Sequence, residues 1–93
     1  MRMLYKYNET KLVLKESQNG DDVEFNLTLL DKEIKKQLVK VKEFFAENSI
    51  TTDLLVYTHS DKRIQIIVRK DFYQDFILQL FKYHLLDEVK WVN

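Results

Sequence analysis

The chain of 93 residues contains a single glycine, Gly20, and no proline, so most of its turns must be built from Asn, Asp and Ser. Gly20 follows Asn19, and an Asn-Gly pair is the strongest short-range signal for a β-hairpin, because a type I′ turn needs positive φ at both central positions. The flanking residues alternate between apolar and polar, as in half-buried strands. We therefore predict a hairpin with Asn19-Gly20 as its two-residue loop.

A two-residue loop at this position also predicts the register of the hairpin. Leu14 then faces Phe25, and Lys15 faces Glu24. Four apolar side chains share one face of this hairpin: Leu12, Leu14, Phe25 and Leu27. The other face carries Lys15 and Glu24, whose opposite charges favour a cross-strand pair. The preceding segment, MLYKY, either extends the first strand or forms a separate short edge strand.

The hydrophobic period changes after Asp31, which suits the N-cap of a helix. Apolar residues then recur at positions typical of an amphipathic helix: Ile34, Leu38, Val41 and Phe45. A second helix is predicted after Asp71, which can cap it. Its inner half is broad and largely apolar: Phe72, Tyr73, Phe76, Ile77, Leu80, Phe81, Tyr83 and His84. The broader face predicts deeper burial for the second helix than for the first.

Three further strand-like segments complete the pattern. DLLVYT and RIQIIVR lie between the helices, and EVKWV follows the second helix. The predicted order is ββα-ββα-β, which favours an α+β two-layer sandwich with a mainly antiparallel sheet and both helices on one face. The length fits a single α+β domain over residues 1–93.

Composition limits the kinds of partner and compartment. The 15 basic and 15 acidic side chains balance, which argues against binding by general phosphate neutralisation. The absence of cysteine excludes disulfides and thiolate chemistry. No apolar run reaches the roughly 18 residues of a membrane span, and the N-terminal segment lacks the apolar region of a secretion signal. We therefore expect a cytoplasmic protein that does not bind a membrane.

The residue pattern gives little support to catalysis. A single glycine in a turn cannot supply a phosphate-binding or dinucleotide-binding loop. His84, Asp87 and Glu88 combine one imidazole with two carboxylates but no second histidine, so a metal site is not expected. His59 and Ser60 are neighbours in an extended segment, where adjacent side chains point to opposite faces. We expect a non-catalytic protein with no cofactor and no metal.

The segment THSDKR, residues 58–63, leaves the register of a second hairpin open. A loop of two or four residues places Tyr57 on the core face beside Ile64. A loop of three residues, 60–62, instead pairs Tyr57 with Gln65 and turns both away from the helices. A slip of one residue thus moves a whole set of side chains from one face to the other.

The three-residue loop would assemble a candidate partner-binding face on the side of the sheet away from the helices: Tyr57, His59, Arg63, Gln65, Ile67 and Arg69. Its two arginines and Gln65 point away from the core in either register, because they alternate with apolar residues. At least two of Leu54, Leu55 and Ile67 also stay on this face. The face is therefore partly hydrophobic, and a partner would cover it.

We expect this face to bind another protein of unidentified kind, with a homodimer as one form of that interaction. The alternative is a nucleic-acid-binding module, in which Arg63, Arg69 and Lys62 neutralise phosphates and Tyr57 stacks on a base. Nucleic acid is the weaker hypothesis because the chain has no excess of basic residues.

Overall fold

The computed structural model describes residues 2–48 and 54–92. The elements follow one another in the predicted order, ββα-ββα-β, with the N-terminal segment as a separate strand in front of it, and this confirms the α+β class. Their bounds are β1 Arg2–Lys6, β2 Leu12–Asn19, β3 Asp22–Leu29, α1 Lys32–Asn48, β4 Leu54–Thr58, β5 Arg63–Arg69, α2 Tyr73–Lys82 and β6 Glu88–Val92.

The strands form two antiparallel sheets instead of one. The larger sheet has four strands in the order β2-β3-β5-β4, and the smaller has two, β1 and β6. The N-terminal segment therefore does not extend the first hairpin; it pairs with the last strand, and Met3 enters the core from there. The central pair β3-β5 joins the first ββα unit to the second, so the two units share one core.

The first hairpin forms as predicted but turns one residue later. Its loop is Gly20-Asp21 in place of Asn19-Gly20, and Asn19 pairs with Asp22. Of the two loop residues only Gly20 has positive φ, at 61°. Glycine at the first central position is the pattern of a type II′ turn. The register derived from a type I′ turn was therefore wrong.

The later turn shifts the pairing by two positions, which preserves the alternation between the faces. The four side chains predicted to share a face are all buried together: Leu12, Leu14, Phe25 and Leu27. Lys15 now faces Asn26, not Glu24. The physical reason is Leu29, which the observed register sets against Leu12 and buries. The predicted register would have left this leucine beyond the end of β2.

Both helices pack on the same face of the four-stranded sheet. The sheet contributes eight buried side chains: Leu12, Leu14, Phe25, Leu27, Leu29, Ile64, Ile66 and Val68. The helices contribute Ile34, Leu38, Val41 and Phe45 from α1 and Tyr73, Phe76, Ile77 and Leu80 from α2. The rings of Phe25 and Phe76 lie 4.8 Å apart at their centroids, a distance typical of favourable aromatic pairs.

The helix ends follow the sequence only in part. Asp31 caps α1 as predicted, since its Oδ1 accepts the backbone N–H of Glu33 at 2.8 Å. Asp71 does not cap α2, because a 3-10 turn over Lys70–Phe72 draws it into the helical segment. The apolar stripe of α2 is also narrower than predicted, with Phe81 and His84 exposed.

The end of α2 is a Schellman motif built without glycine. The N–H of Leu85 donates to Leu80 O at 2.9 Å, and the N–H of His84 donates to Phe81 O at 3.1 Å. His84 is the residue of this motif with the left-handed backbone conformation, with φ of 66°. Leu80 and Leu85 are both buried, which supplies the hydrophobic contact that accompanies this motif.

A shared carboxylate ties the small sheet to the rest of the fold. The Tyr5 hydroxyl of β1 donates to Glu16 Oε1 at 2.8 Å, and the Tyr73 hydroxyl of α2 donates to the same oxygen at 3.1 Å. Burial, followed by the hydrogen bond to Glu16, raises the pKa of Tyr5 well above its usual range. The two phenols and the carboxylate thus link β1, β2 and α2.

We predict that His84→Gly stabilises the protein. A side chain at the left-handed position costs about 1 kcal/mol, and glycine removes that cost. The expected rise in Tm is about 4–8 °C for a chain of this size, measured by differential scanning calorimetry. His84→Ala is the control, because it deletes the imidazole but keeps the Cβ. An equal rise in both variants would contradict the backbone explanation.

We also predict that Tyr5→Phe changes how stability depends on pH. With a raised pKa, folded Tyr5 keeps its proton where the unfolded chain loses it, above about pH 10. The stability that Tyr5 contributes is therefore present below about pH 10 and lost as the pH rises further. Urea denaturation should show a steeper loss of unfolding free energy in wild type than in Tyr5→Phe. Tyr57→Phe, which alters an exposed phenol, should behave as wild type does.

Candidate functional site

The second hairpin adopts the three-residue loop. Tyr57 pairs with Gln65, and the N–H of His59 donates to Arg63 O at 2.9 Å. Ser60 makes the turn without glycine, because its Oγ accepts the backbone N–H groups of Lys62 at 3.3 Å and Arg63 at 3.1 Å. Of the two registers open at the sequence level, this is the one that exposes Tyr57.

All six candidate residues consequently lie on the face of the four-stranded sheet that points away from the helices, which we call the outer face. Tyr57, His59, Arg63 and Arg69 are exposed, while Gln65 and Ile67 are half-buried. The alternation along β5 confirms the outward direction of Arg63, Gln65 and Arg69. The hairpin register brings Tyr57 and His59 to the same side.

The outer face also contains residues that sequence reasoning did not assign to a site. The neighbouring strands contribute Val13, Lys15, Glu24, Asn26 and Thr28. Leu55, one of the three apolar residues considered for this face from the sequence, lies there as well. The pairing of β3 with β5 sets Asn26 beside Gln65 and Glu24 beside Ile67. The period-2 alternation of the first hairpin had placed Lys15 and Glu24 on its polar side. No local signal, however, indicates which strand lies next to β3.

A polar cluster occupies the middle of the outer face. Glu24 accepts hydrogen bonds from Asn26 Nδ2 at 2.9 Å and Asn19 Nδ2 at 3.1 Å. The hydrogen bond from Asn26 has the largest effect on Glu24, and together with the bonds from Gln65 and Asn19 it lowers the pKa of this carboxyl group. The amide N–H of Gln65 donates to Glu24. The Gln65 Oε1 atom accepts a hydrogen bond from His59 Nε2, which lies 2.9 Å away. The cluster fixes the His59 ring across β4 and β5.

An apolar strip lies beside this cluster, formed by Leu55, Tyr57 and Ile67. Leu55 pairs directly with Ile67 across β4 and β5. Leu55 is 43% exposed and Tyr57 is 47% exposed. Because the strip runs along β4, it reaches the border of the sheet.

Strand β4 is itself an edge of the four-stranded sheet. The His59 N–H points at β5, so by alternation the backbone groups of Leu55 and Tyr57 also bond to β5. Those of Leu54, Val56 and Thr58 therefore point to the open side. Within residues 2–48 and 54–92, no strand pairs with that side. The sequence of β4, LLVYT, contains no charge and no proline.

A shallow depression of about 370 Å³ lies at one end of the outer face. Six of its lining residues have side chains on the outer face: Val13, Lys15, Asn26, Thr28, His59 and Arg63. Two are permanent cations, one is an imidazole, and none of the described residues that line it is a carboxylate. The depression therefore favours an anion over a cation.

The described part of the chain offers neither a cluster of metal-ligating side chains nor a helix that could cross a membrane. Residues 2–48 and 54–92 hold no group of three or more His, Cys, Asp or Glu side chains suited to a metal ion. None of the helices described there has the length and apolar character needed to cross a membrane. No family model matches the chain, and neither a curated protein nor a solved structure matches it.

Proposed function

We propose that this is a small non-catalytic cytoplasmic protein that binds another protein through the apolar strip and the adjoining edge of β4. The observation that carries the proposal is the position of the strip. Leu55, Tyr57 and Ile67 form continuous outward apolar surface at the border of the sheet. A partner that covers the strip removes this area from water, and one that also pairs with β4 satisfies its open backbone groups.

The composition of the outer face resembles that of a protein interface. An aromatic and two aliphatic side chains lie together, with His59, Gln65, Arg63 and Arg69 around them. Binding surfaces commonly combine an apolar centre that contains Tyr with a polar, solvent-exposed rim that contains Arg. The bonded cluster around Glu24 holds Gln65 and His59 in place before a partner arrives, which reduces the entropy that these two side chains lose on binding.

The test is affinity capture from host cytosol with tagged wild type and two matched lysine variants. Leu55→Lys alters the apolar strip, while Leu78→Lys alters a similarly exposed leucine on α2. Leu55 is 43% exposed and Leu78 is 41% exposed. A partner of the strip should be captured by wild type and by Leu78→Lys but lost with Leu55→Lys, because a charge would be buried without a counterion. Capture that survives in both variants would place the partner elsewhere.

The depression supports a second candidate function, the binding of single-stranded nucleic acid. Lys15 and Arg63 can contact phosphates, and Tyr57, which lies on the same face, offers an aromatic ring on which a base can stack. Nuclease treatment before capture separates the two functions, since a partner held through nucleic acid would be released.

For the nucleic-acid function, Arg63→Glu is expected to weaken binding of a labelled oligonucleotide at least tenfold at low salt. The reason is the loss of one phosphate contact and the repulsion from the new carboxylate. Fluorescence anisotropy at two salt concentrations would measure both the affinity and its salt dependence. Lys35→Glu, at an exposed position of α1, is the matched charge-reversal control. Equal losses in both variants would indicate only a general charge effect.

A further inference from the structure

The open edge of β4 lacks the features that normally prevent two edge strands from pairing. Such edges usually carry lysine, proline, a bulge or an inward charge. β4 has five uncharged residues in regular pairing with β5. The opposite edge, β2, differs: it contains Lys15, and its Glu16 is held by Tyr5 and Tyr73. The two edges of the sheet thus differ in their protection against pairing with another strand.

We propose that two copies of this chain pair antiparallel through β4, with Val56 opposite Val56 of the second copy, to form a continuous eight-stranded sheet. This inference rests on the proposed function, protein binding at the strip and edge, and names a second copy as the partner. The interface is isologous, since a two-fold axis through Val56 relates the two strands.

The register follows from the backbone. The open side presents the N–H and C=O groups of three residues, Leu54, Val56 and Thr58. An axis through Val56 gives all three a partner. Leu54 then faces Thr58 of the second copy, and Thr58 faces Leu54 of the second copy. Moving the axis by one residue in either direction leaves one of the three without a partner in β4. The register centred on Val56 therefore makes the most hydrogen bonds.

The side chains favour the same register. Leu55 then faces Tyr57 of the second copy, and Tyr57 faces Leu55 of the second copy. Aromatic and aliphatic cross-strand neighbours stabilise antiparallel pairs by roughly 0.2–1 kcal/mol each. The two pairs bring both apolar strips into one patch. Since a two-fold axis brings identical strands together, a charged β4 would meet like charge near the axis, and its neutrality removes that repulsion.

The size of the contact predicts a modest affinity. A pairing of five residues on each side buries less than the roughly 800 Å² per partner of a standard interface. We expect a dissociation constant in the micromolar range, so the dimer population should rise with protein concentration. Sedimentation equilibrium of wild type should show a mass between monomer and dimer that increases with loading.

Val56→Pro tests the backbone pairing. It removes an N–H that points to the open side and leaves the bonds to β5, a position where edge strands accept proline. The variant should keep the circular dichroism spectrum of wild type and stay monomeric. If Val56→Pro associates as wild type does, pairing through β4 is refuted.

The register is tested with single cysteines, since the natural chain has none. Opposed residues of a hydrogen-bonded antiparallel pair have Cα atoms about 5.5 Å apart, within disulfide range. Val56→Cys should therefore cross-link under mild oxidation. Leu54→Cys should not, because four residues of offset separate its two copies by roughly 13 Å. Equal cross-linking at both positions, or none at Val56→Cys, overturns the register.

The dimer and the proposed function can fail separately. Wild type that stays monomeric at every concentration, with no cross-link at Val56→Cys, refutes the dimer. If Leu55→Lys then still loses a captured protein that Leu78→Lys retains, the strip binds a different partner and the proposed function stands. If wild type stays monomeric and capture does not depend on Leu55, both proposals are refuted.

Discussion

The pairing of β3 with β5 is the interaction on which the other features of the structure depend. It is the only contact between strands that joins the two ββα units within the four-stranded sheet described here. Phe25 faces Ile66 at its centre, and the next pair along, Glu24 and Ile67, faces the other way. A slip of one residue would expose the phenylalanine and bury the glutamate. One register therefore decides both the core and the outer face.

The first hairpin shows what an alternating pattern can and cannot predict. The four apolar residues of its inner face were assigned correctly although the loop was wrong, because a shift of two positions preserves the alternation. The choice between the turns depended on Leu29, which gains a buried position opposite Leu12 only in the observed register. Packing of this kind lies outside the turn, so the Asn-Gly signal alone could not show it.

The second hairpin could not be resolved from its sequence for a different reason. LLVYT is apolar on both of its faces, so either face could have been buried, and no glycine marks the turn. The bonds from the Lys62 and Arg63 N–H groups to Ser60 Oγ favour the three-residue loop. The neighbours of the candidate face across β3 were beyond prediction too, because pairing between distant strands leaves no local pattern.

The outer face of β5 shows that the apolar strip is not required by the fold. Arg63, Gln65 and Arg69 occupy outward positions on a central strand, so polar side chains suit this face well. Ile67 is the one apolar exception on β5, and it lies directly beside Leu55. Apolar residues at an uncharged edge increase the risk of aggregation without adding to the core. The contact of Ile67 with Leu55, on the open edge strand, therefore supports the proposal that a protein partner covers this surface.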